Sequence, residues 1–236
     1  MHATYLDPTP VRGGPHRSPA DTRLLRISAR FGLAFTTCQL AVMAAMALVV
    51  LPRGGSPSDP AVERGTDVFA AEYLYRLGNF AFMVAGMLML GFLGVVAARL
   101  RAADSSGVLA TVAVASGALL ALIWPMTGML HDVALEAAGA GSDPRILAGW
   151  DSVAPFGLAF SVLPRLFFVG AIVASLYRTG RAPWLRRTGV ALLPLGLVGS
   201  ATLVFAGLFP VLAVSTLGYE LWIGALAWHW LRTTDR

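Results

Sequence analysis

Two ionisable residues lie within stretches of the chain that are otherwise uncharged and apolar. Arg165 belongs to residues 152–177 and Glu220 to residues 210–231. Burying a charge in hydrocarbon is costly, so such residues typically mark a ligand site, a proton path or an ion pair. Both lie about 15–20 Å deep by the rise of an α-helix. We therefore predict that Arg165 and Glu220 form an ion pair that fixes helix order, or line a polar pocket.

Four residues in the apolar stretches extend this predicted pocket. They are Gln39, Asn79, Trp124 and Trp222. Amide side chains inside a membrane usually hydrogen-bond to a neighbouring helix, whereas tryptophan rings attract cations to their faces. Pro164 directly precedes Arg165, and a proline there predicts a kink that frees one backbone carbonyl.

A second polar cluster lies at the predicted outer end of the third apolar stretch and consists of His131, Asp132 and Glu136. Imidazole and carboxylate groups bind divalent metals, but the chain has no HExxH motif, no CxxC motif and no repeated histidine spacing. It also lacks a phosphate-binding loop and a serine-nucleophile motif. We expect no metal and no cofactor, and the motifs assign no catalytic residue. The single cysteine, Cys38, excludes an internal disulfide.

The elements that must position these residues are membrane-spanning helices. Of the 236 residues, 56% are hydrophobic and only 13% are charged, about half the charge of a soluble domain. This composition excludes a soluble enzyme and a nucleic-acid binder. About 20 apolar residues are needed to cross a bilayer, and six stretches qualify: 31–51, 77–98, 107–130, 152–177, 188–208 and 210–231. We predict an all-α bundle of six transmembrane helices over residues 27–232, after a disordered tail at 1–26.

The arginines predict the orientation of this bundle. Thirteen of them fall in the termini and loops of one side and four in those of the other. Basic residues accumulate on the cytoplasmic side, so we expect both termini in the cytoplasm. The outer loops are then residues 52–76 and 131–151, which hold eight of the 13 acidic residues. The first of these loops also contains a pattern typical of a short amphipathic helix, which would act as a connector or a lid.

The C-terminal half resembles a known family. The stretch Tyr177-Arg178-Thr179-Gly180-Arg181-Ala182-Pro183-Trp184-Leu185 is similar to the inner loop of the domain-of-unknown-function 4386 family. The ending Tyr219-Glu220-Leu221-Trp222 resembles the last span of that family, which carries a glutamate and a tryptophan. The resemblance implies a multi-span protein of the bacterial plasma membrane and directs attention to Glu220. It implies no chemistry, since the family has none assigned.

Three hypotheses of function follow from the residues. The first is binding or transport of a small apolar or amphipathic molecule in an outward-opening cavity near Arg165 and Glu220. The second is an intramembrane enzyme that acts on an isoprenoid or lipid, with Glu220 as the acid and aromatic rings steadying a cationic intermediate. The third is an accessory subunit of a membrane complex. The expected partners are the lipid bilayer, a small hydrophobic ligand and either a second copy or another membrane protein, with no nucleic acid.

Overall fold

The computed structural model describes residues 19–53, 59–141, 143, 145, 148–149 and 153–234. All regular structure in these residues is helical, with no strand, which confirms the all-α class. The α-helices are α1 Pro19–Ala45, α2 Ala61–Ala70, α3 Glu72–Ala103, α4 Val108–Gly139, α5 Val153–Phe160, α6 Val162–Thr179, α7 Pro183–Ser200 and α8 Phe209–Thr233. A π-helical turn, Met46–Val50, and a 3-10 turn, Leu51–Arg53, extend α1.

Five helical segments are long and apolar enough to cross a membrane. They are Pro19–Val50, Glu72–Ala103, Val108–Ala137, Phe156–Thr179 and Ala206–Thr233. Helix α7 is not among them, because Arg186 and Arg187 in its first turns lower the hydropathy of a helix that has only 18 residues. Its long apolar helices therefore indicate a membrane-embedded protein. A sixth span at α7 stays a prediction.

Helices α7 and α8 form an antiparallel hairpin. Gly199, at the end of α7, lies against Leu212 near the start of α8. Gly189, at the start of α7, lies against Trp222 in the second half of α8. Two 3-10 turns, Ala201–Leu203 and Ala206–Leu208, connect them.

The bundle has two ends, which we call the arginine-rich end and the acidic end after the charged residues at the helix termini there. At the arginine-rich end, Arg178 in the last turn of α6 pairs with Asp104, the residue after α3, with 2.7 Å between Nη1 and Oδ1. At the acidic end, Asn79 of α3 donates from Nδ2 to Oδ1 of Asp132 in α4 at 2.8 Å. Helices α1, α4 and α7 run towards the acidic end, and α3, α6 and α8 run back.

Some predicted boundaries were wrong. Helix α1 begins at Pro19, so residues 19–26, which we assign from the sequence to a disordered tail, are its first turns. Their arginines interrupt the apolar pattern without breaking the helix, and Asp21 suits the positive end of the helix dipole. Residues 1–18 lie outside the described residues, as do 54–58 and most of 142–152 in the two predicted outer loops.

Other boundary expectations agree with the structure. Helix α2 occupies the position of the predicted amphipathic helix, and α4 continues through Gly139 beyond the predicted apolar stretch. The predicted kink near Pro164 corresponds to a break between α5 and α6 at Ser161, with Pro164 in the first turn of α6.

Candidate functional site

A cavity of about 340 Å³ lies in the half of the bundle towards the acidic end. It is bordered by the second half of α1 and by α3, α4, α5 and α8. Its wall is mainly apolar and includes Val42, Met43, Met46, Leu74, Phe82, Leu158 and Phe209. This volume and this lining are typical of small-molecule sites in proteins.

Eight side chains of this wall carry a hydrogen-bonding N–H, O–H, S–H, amide or carboxyl group: Cys38, Gln39, Tyr75, Asn79, Trp124, His131, Thr216 and Glu220. The structure thus brings together five residues that we predict from the sequence, namely Gln39, Asn79, Trp124, His131 and Glu220. The cavity lining does not include the other four predicted residues, Arg165, Trp222, Asp132 and Glu136.

Glu220 is among the most deeply buried polar groups of the cavity wall. The residue is 1% exposed, and neither carboxyl oxygen has a hydrogen-bond partner among the described residues. The hydroxyl of Thr36 in α1 donates to the backbone carbonyl oxygen of Glu220 at 3.0 Å and so ties this part of α8 to α1. Helix packing therefore holds an unpaired carboxyl group beside an apolar cavity.

Gln39 lines the same cavity from the facing helix α1. It follows Thr36 by three residues, so the two share one face of α1, and Thr36 is the residue bonded to the backbone of Glu220. Gln39 is 3% exposed, and its Nε2 has no hydrogen-bond partner in the part of the chain that the structure describes. The cavity wall thus combines an unpaired donor on α1 with unpaired acceptors on α8.

Arg165 lies behind the cavity wall. Its Nη1 donates to Oγ1 of Thr216 at 2.6 Å, and its guanidinium lies 5.0 Å from the ring centre of Tyr219 and 5.5 Å from that of Trp124. Both separations are within cation–π range. Thr216 and Trp124 line the cavity themselves, so Arg165 contacts the wall from its far side.

The predicted ion pair between Arg165 and Glu220 is not formed as a direct contact. Both oxygens of Glu220 and the Nε and Nη2 atoms of Arg165 are unpaired within the described residues, and the two side chains interact only as nearby charges. The reason is the competing partners of Arg165, since two aromatic faces and the Thr216 hydroxyl hold its guanidinium.

Trp222 is not among the residues that line this cavity. Its Nε1 donates to the backbone carbonyl of Leu185 at 2.9 Å, which ties α8 to the start of α7. Two residues after Glu220, it points about 200° around the helix from the carboxylate. The indole therefore belongs to packing in the other half of the bundle.

The predicted cluster at the end of α4 is divided between two surroundings. His131 is 6% exposed and packs edge-on against Tyr75, whose ring centre is 5.9 Å away. Asp132 and Glu136 are exposed and bind groups of α3: Asp132 accepts from Asn79, and Glu136 accepts from Nη2 of Arg76 at 3.1 Å. Among the described residues no group of three or more His, Cys, Asp or Glu could hold a metal ion.

A hydrogen bond to Asp67 connects helix α2 to the start of α3. The Tyr75 hydroxyl donates to Oδ2 of Asp67 at 3.3 Å, and Tyr75 lines the cavity. Burial raises the pKa of Asp67, although the Tyr75 hydroxyl and the charge of Arg53 oppose that rise. Asp67 and Tyr75 thus connect the short amphipathic helix to the cavity wall.

Sequence reasoning missed Thr216, Tyr219, Cys38 and Phe82 as members or neighbours of the site. Thr216 carried a usable signal, because it lies one helical turn before Glu220 and so shares its face. Tyr219 and Phe82 are aromatic residues in apolar helices, and nothing in their spacing separates them from ordinary core residues.

No protein family model, no curated protein and no solved structure matches this chain. The resemblance to the domain-of-unknown-function 4386 family therefore stays a prediction, and the functional argument depends on the cavity itself.

Proposed function

We propose that this protein binds a small amphipathic or apolar molecule in the cavity beside Glu220. The observation that carries the proposal is the Glu220 carboxylate, which is buried, unpaired among the described residues and part of an otherwise apolar wall. A buried polar group without a partner costs free energy. Proteins keep such groups where a ligand supplies the partner, as in apolar pockets with a few convergent polar atoms.

The orientation that we propose makes this an outward-facing site. With the arginine-rich end in the cytoplasm, the cavity lies in the outer half of a six-span protein whose two termini are cytoplasmic. The α7–α8 hairpin supports the sixth span, because α8 is long enough to cross the bilayer and α7 runs antiparallel beside it. A bacterial plasma membrane is the location that the family resemblance implies.

Binding is favoured over catalysis by the composition of the cavity wall. Acid–base chemistry needs a base within hydrogen-bond reach of the reacting group. The lining histidine, His131, instead packs edge-on against Tyr75 near the end of α4, and Glu220 is the one carboxylate among the described lining residues. The ring of Trp124 already has the Arg165 guanidinium over it, and Trp222 lies elsewhere. These two tryptophan rings are therefore not available to a cationic intermediate, which leaves Tyr75, Phe82 and Phe209 as the other aromatic rings of the described lining.

A pair of glycine substitutions tests the proposal. Gly78 lines the cavity, and a side chain at this position would meet no atom within 4 Å of its Cβ. Gly170 in α6 is equally open at its Cβ but lies outside the cavity lining. Gly78→Leu should fill the cavity, and Gly170→Leu is the matched control for an added leucine in an apolar helix.

The measurement is untargeted mass spectrometry of small molecules that co-purify with the wild type and both variants. We expect one specific molecule in the wild type and in Gly170→Leu, and its loss in Gly78→Leu. Bulk lipid alone in all three well-folded samples would overturn the proposal. A molecule retained equally by Gly78→Leu would place binding elsewhere and would also overturn it.

A further inference from the structure

We infer that the arginine-rich end of the bundle binds the phosphate groups of anionic phospholipids, through the exposed arginines around the turn between α6 and α7. This inference depends neither on the cavity nor on the proposed ligand. Three properties of this end lead to it: the excess of positive charge, the convergence of cations from several elements and the aromatic rings that hold guanidinium groups at the depth of the lipid head groups.

The first property is the excess of positive charge. Of the described arginines, three lie in the first half of α1, two at the end of α3, four between the end of α6 and the start of α7 and one at the end of α8. The described acidic residues at this end are Asp21 and Asp104, and Asp104 is buried and paired with Arg178. Guanidinium groups stay protonated in proteins. The charges therefore repel one another unless an anion from outside the chain balances them.

Exposed arginines near the α6–α7 turn lack the partners that an arginine of the acidic end has. Arg76, at the acidic end, pairs with Glu72 and Glu136. Arg181 and Arg187 are exposed and make no hydrogen bond or ion pair with any residue that the structure describes. Their donors are therefore available to an external anion.

The second property is the convergence of cations from different elements. Arg99 of α3 and Arg181 of the α6–α7 turn both act electrostatically on His229 of α8. Nη2 of Arg99 also donates to the hydroxyl of Thr234, directly after α8, at 2.8 Å. The α6–α7 turn thus lies beside the ends of α3 and α8. Basic surfaces between the ends of transmembrane helices are typical sites for the head groups of anionic lipids.

The third property is the depth of the arginines in the membrane. The guanidinium of Arg186 lies 4.3 Å from the ring centre of Tyr177, and that of Arg232 lies 4.5 Å from the ring centre of Trp228. Both rings are exposed, as is that of Trp184 at the start of α7. Exposed tryptophan and tyrosine rings near the ends of transmembrane helices lie at the level of the lipid head groups. This depth favours a lipid phosphate over a free anion or a nucleic acid.

The test compares anionic phosphatidylglycerol with zwitterionic phosphatidylcholine of the same acyl chains. The full chain is placed in nanodiscs that contain both lipids in equal amounts, and native mass spectrometry counts the lipids that stay bound to the released protein. We expect bound phosphatidylglycerol to exceed bound phosphatidylcholine about tenfold in the wild type. Replacing two arginines, Arg181→Gln with Arg187→Gln, should lower this ratio about threefold or more.

The matched control is Arg53→Gln with Arg145→Gln, which removes the same charge from exposed residues that follow the acidic-end termini of α1 and α4. This control should keep the wild-type ratio. Equal Tm values in detergent are expected for all three proteins, because Arg181 and Arg187 have no hydrogen bond or ion pair to lose among the described residues.

Four outcomes would overturn the inference. The first is a ratio near one in the wild type, and the second is an unchanged ratio in the Arg181 and Arg187 variant. The third is an equal loss in the control variant, because net charge alone would then set the ratio. The fourth is release of the bound phosphatidylglycerol by inorganic phosphate or a DNA oligonucleotide beyond the effect of sodium chloride at equal ionic strength, because the surface would then recognise a soluble anion.

Discussion

The two halves of the bundle differ in how they hold buried polar groups. Towards the arginine-rich end, Asp104 binds Arg178 and Ser106, and the indole of Trp222 binds the carbonyl of Leu185. The buried Nε of Arg186 has no hydrogen-bond partner among the described residues, but its guanidinium lies over the ring of Tyr177. Towards the acidic end, Glu220 and Gln39 retain unpaired atoms, and both residues line a cavity. A buried carboxyl group without a hydrogen-bond partner among the described residues and open volume thus coincide in one half.

Packing follows the same division. Fully buried side chains such as Phe92, Ile172, Ile223 and Leu226 fill the arginine-rich half. In the acidic half, α1 departs from regular α-helix at Met46–Val50, and π-helical turns of this kind recur at functional sites. One half of the bundle therefore supplies stability, whereas the other gives up packing, which is the usual cost of a binding site.

The largest expected effect comes from Gly86, where α3 and α4 pack closely. A Cβ at this position would lie 2.5 Å from the Ala121 carbonyl oxygen and 2.7 Å from Pro125. We expect Gly86→Ala to lower the free energy of unfolding by about 1–3 kcal/mol through overpacking. Thermal unfolding in detergent measures this, with Gly170→Ala as the control. An unchanged Tm would show that the helices separate at little cost.

The next effect tests the paired half. Trp222→Phe removes the indole N–H, so the buried carbonyl of Leu185 loses the hydrogen bond from α8. The expected loss is about 1–2 kcal/mol in the free energy of unfolding. Trp184→Phe is the control, because Trp184 is 52% exposed. Equal melting curves for the two variants would mean that the hydrogen bond of Trp222 adds nothing to the hairpin.

A smaller effect depends on pH at the arginine-rich end. Hydrogen bonds from Ser106 and the backbone N–H of Leu109, with the charge of Arg178, lower the pKa of Asp104 from 3.8 to about 2. Because the folded-state pKa is depressed, the stabilisation is complete above the unfolded value and is lost as the pH falls towards 2. The Tm difference between wild type and Asp104→Asn should therefore shrink on acidification. A constant difference would contradict the role of the charge.

The smallest effect is expected at the surface of the acidic end. Arg76 pairs with Glu72 and Glu136, but its side chain is 42% exposed. Exposed ion pairs contribute between zero and about 1 kcal/mol. Arg76→Gln should accordingly shift the Tm less than Trp222→Phe does. A larger shift would mean that these ion pairs, and not packing, hold α3 against α4.

Much of the architecture could be predicted from the sequence, because hydropathy reports length and burial directly. The apolar stretches identified the long helices, and charge within them identified Arg165 and Glu220. Gln39, Asn79 and Trp124 lie in the outer halves of their predicted apolar stretches, and all three line the cavity with Glu220.

What the sequence did not predict depends on neighbours and rotation. Hydropathy does not say which helices touch, so Arg165 could be placed at the correct depth but not behind Thr216 and Trp124. Trp222 was close to Glu220 in sequence yet on another face of α8, since residues two apart diverge around a helix. The first turns of α1 were missed because their arginines end the apolar stretch although the helix continues to Pro19.

The most direct test of the division between the halves uses Cys38, the single cysteine of the chain. Its thiol lines the cavity, 3.4 Å from the carbonyl oxygen of Ala81. The measurement is the rate at which N-ethylmaleimide alkylates Cys38 in proteoliposomes of the wild type, Gly78→Leu and Gly170→Leu. We expect equal rates in the wild type and Gly170→Leu, and a rate about tenfold lower in Gly78→Leu, because filling the cavity removes access to the thiol. Equal rates in all three proteins would show that the cavity does not control access to Cys38 and would contradict the account.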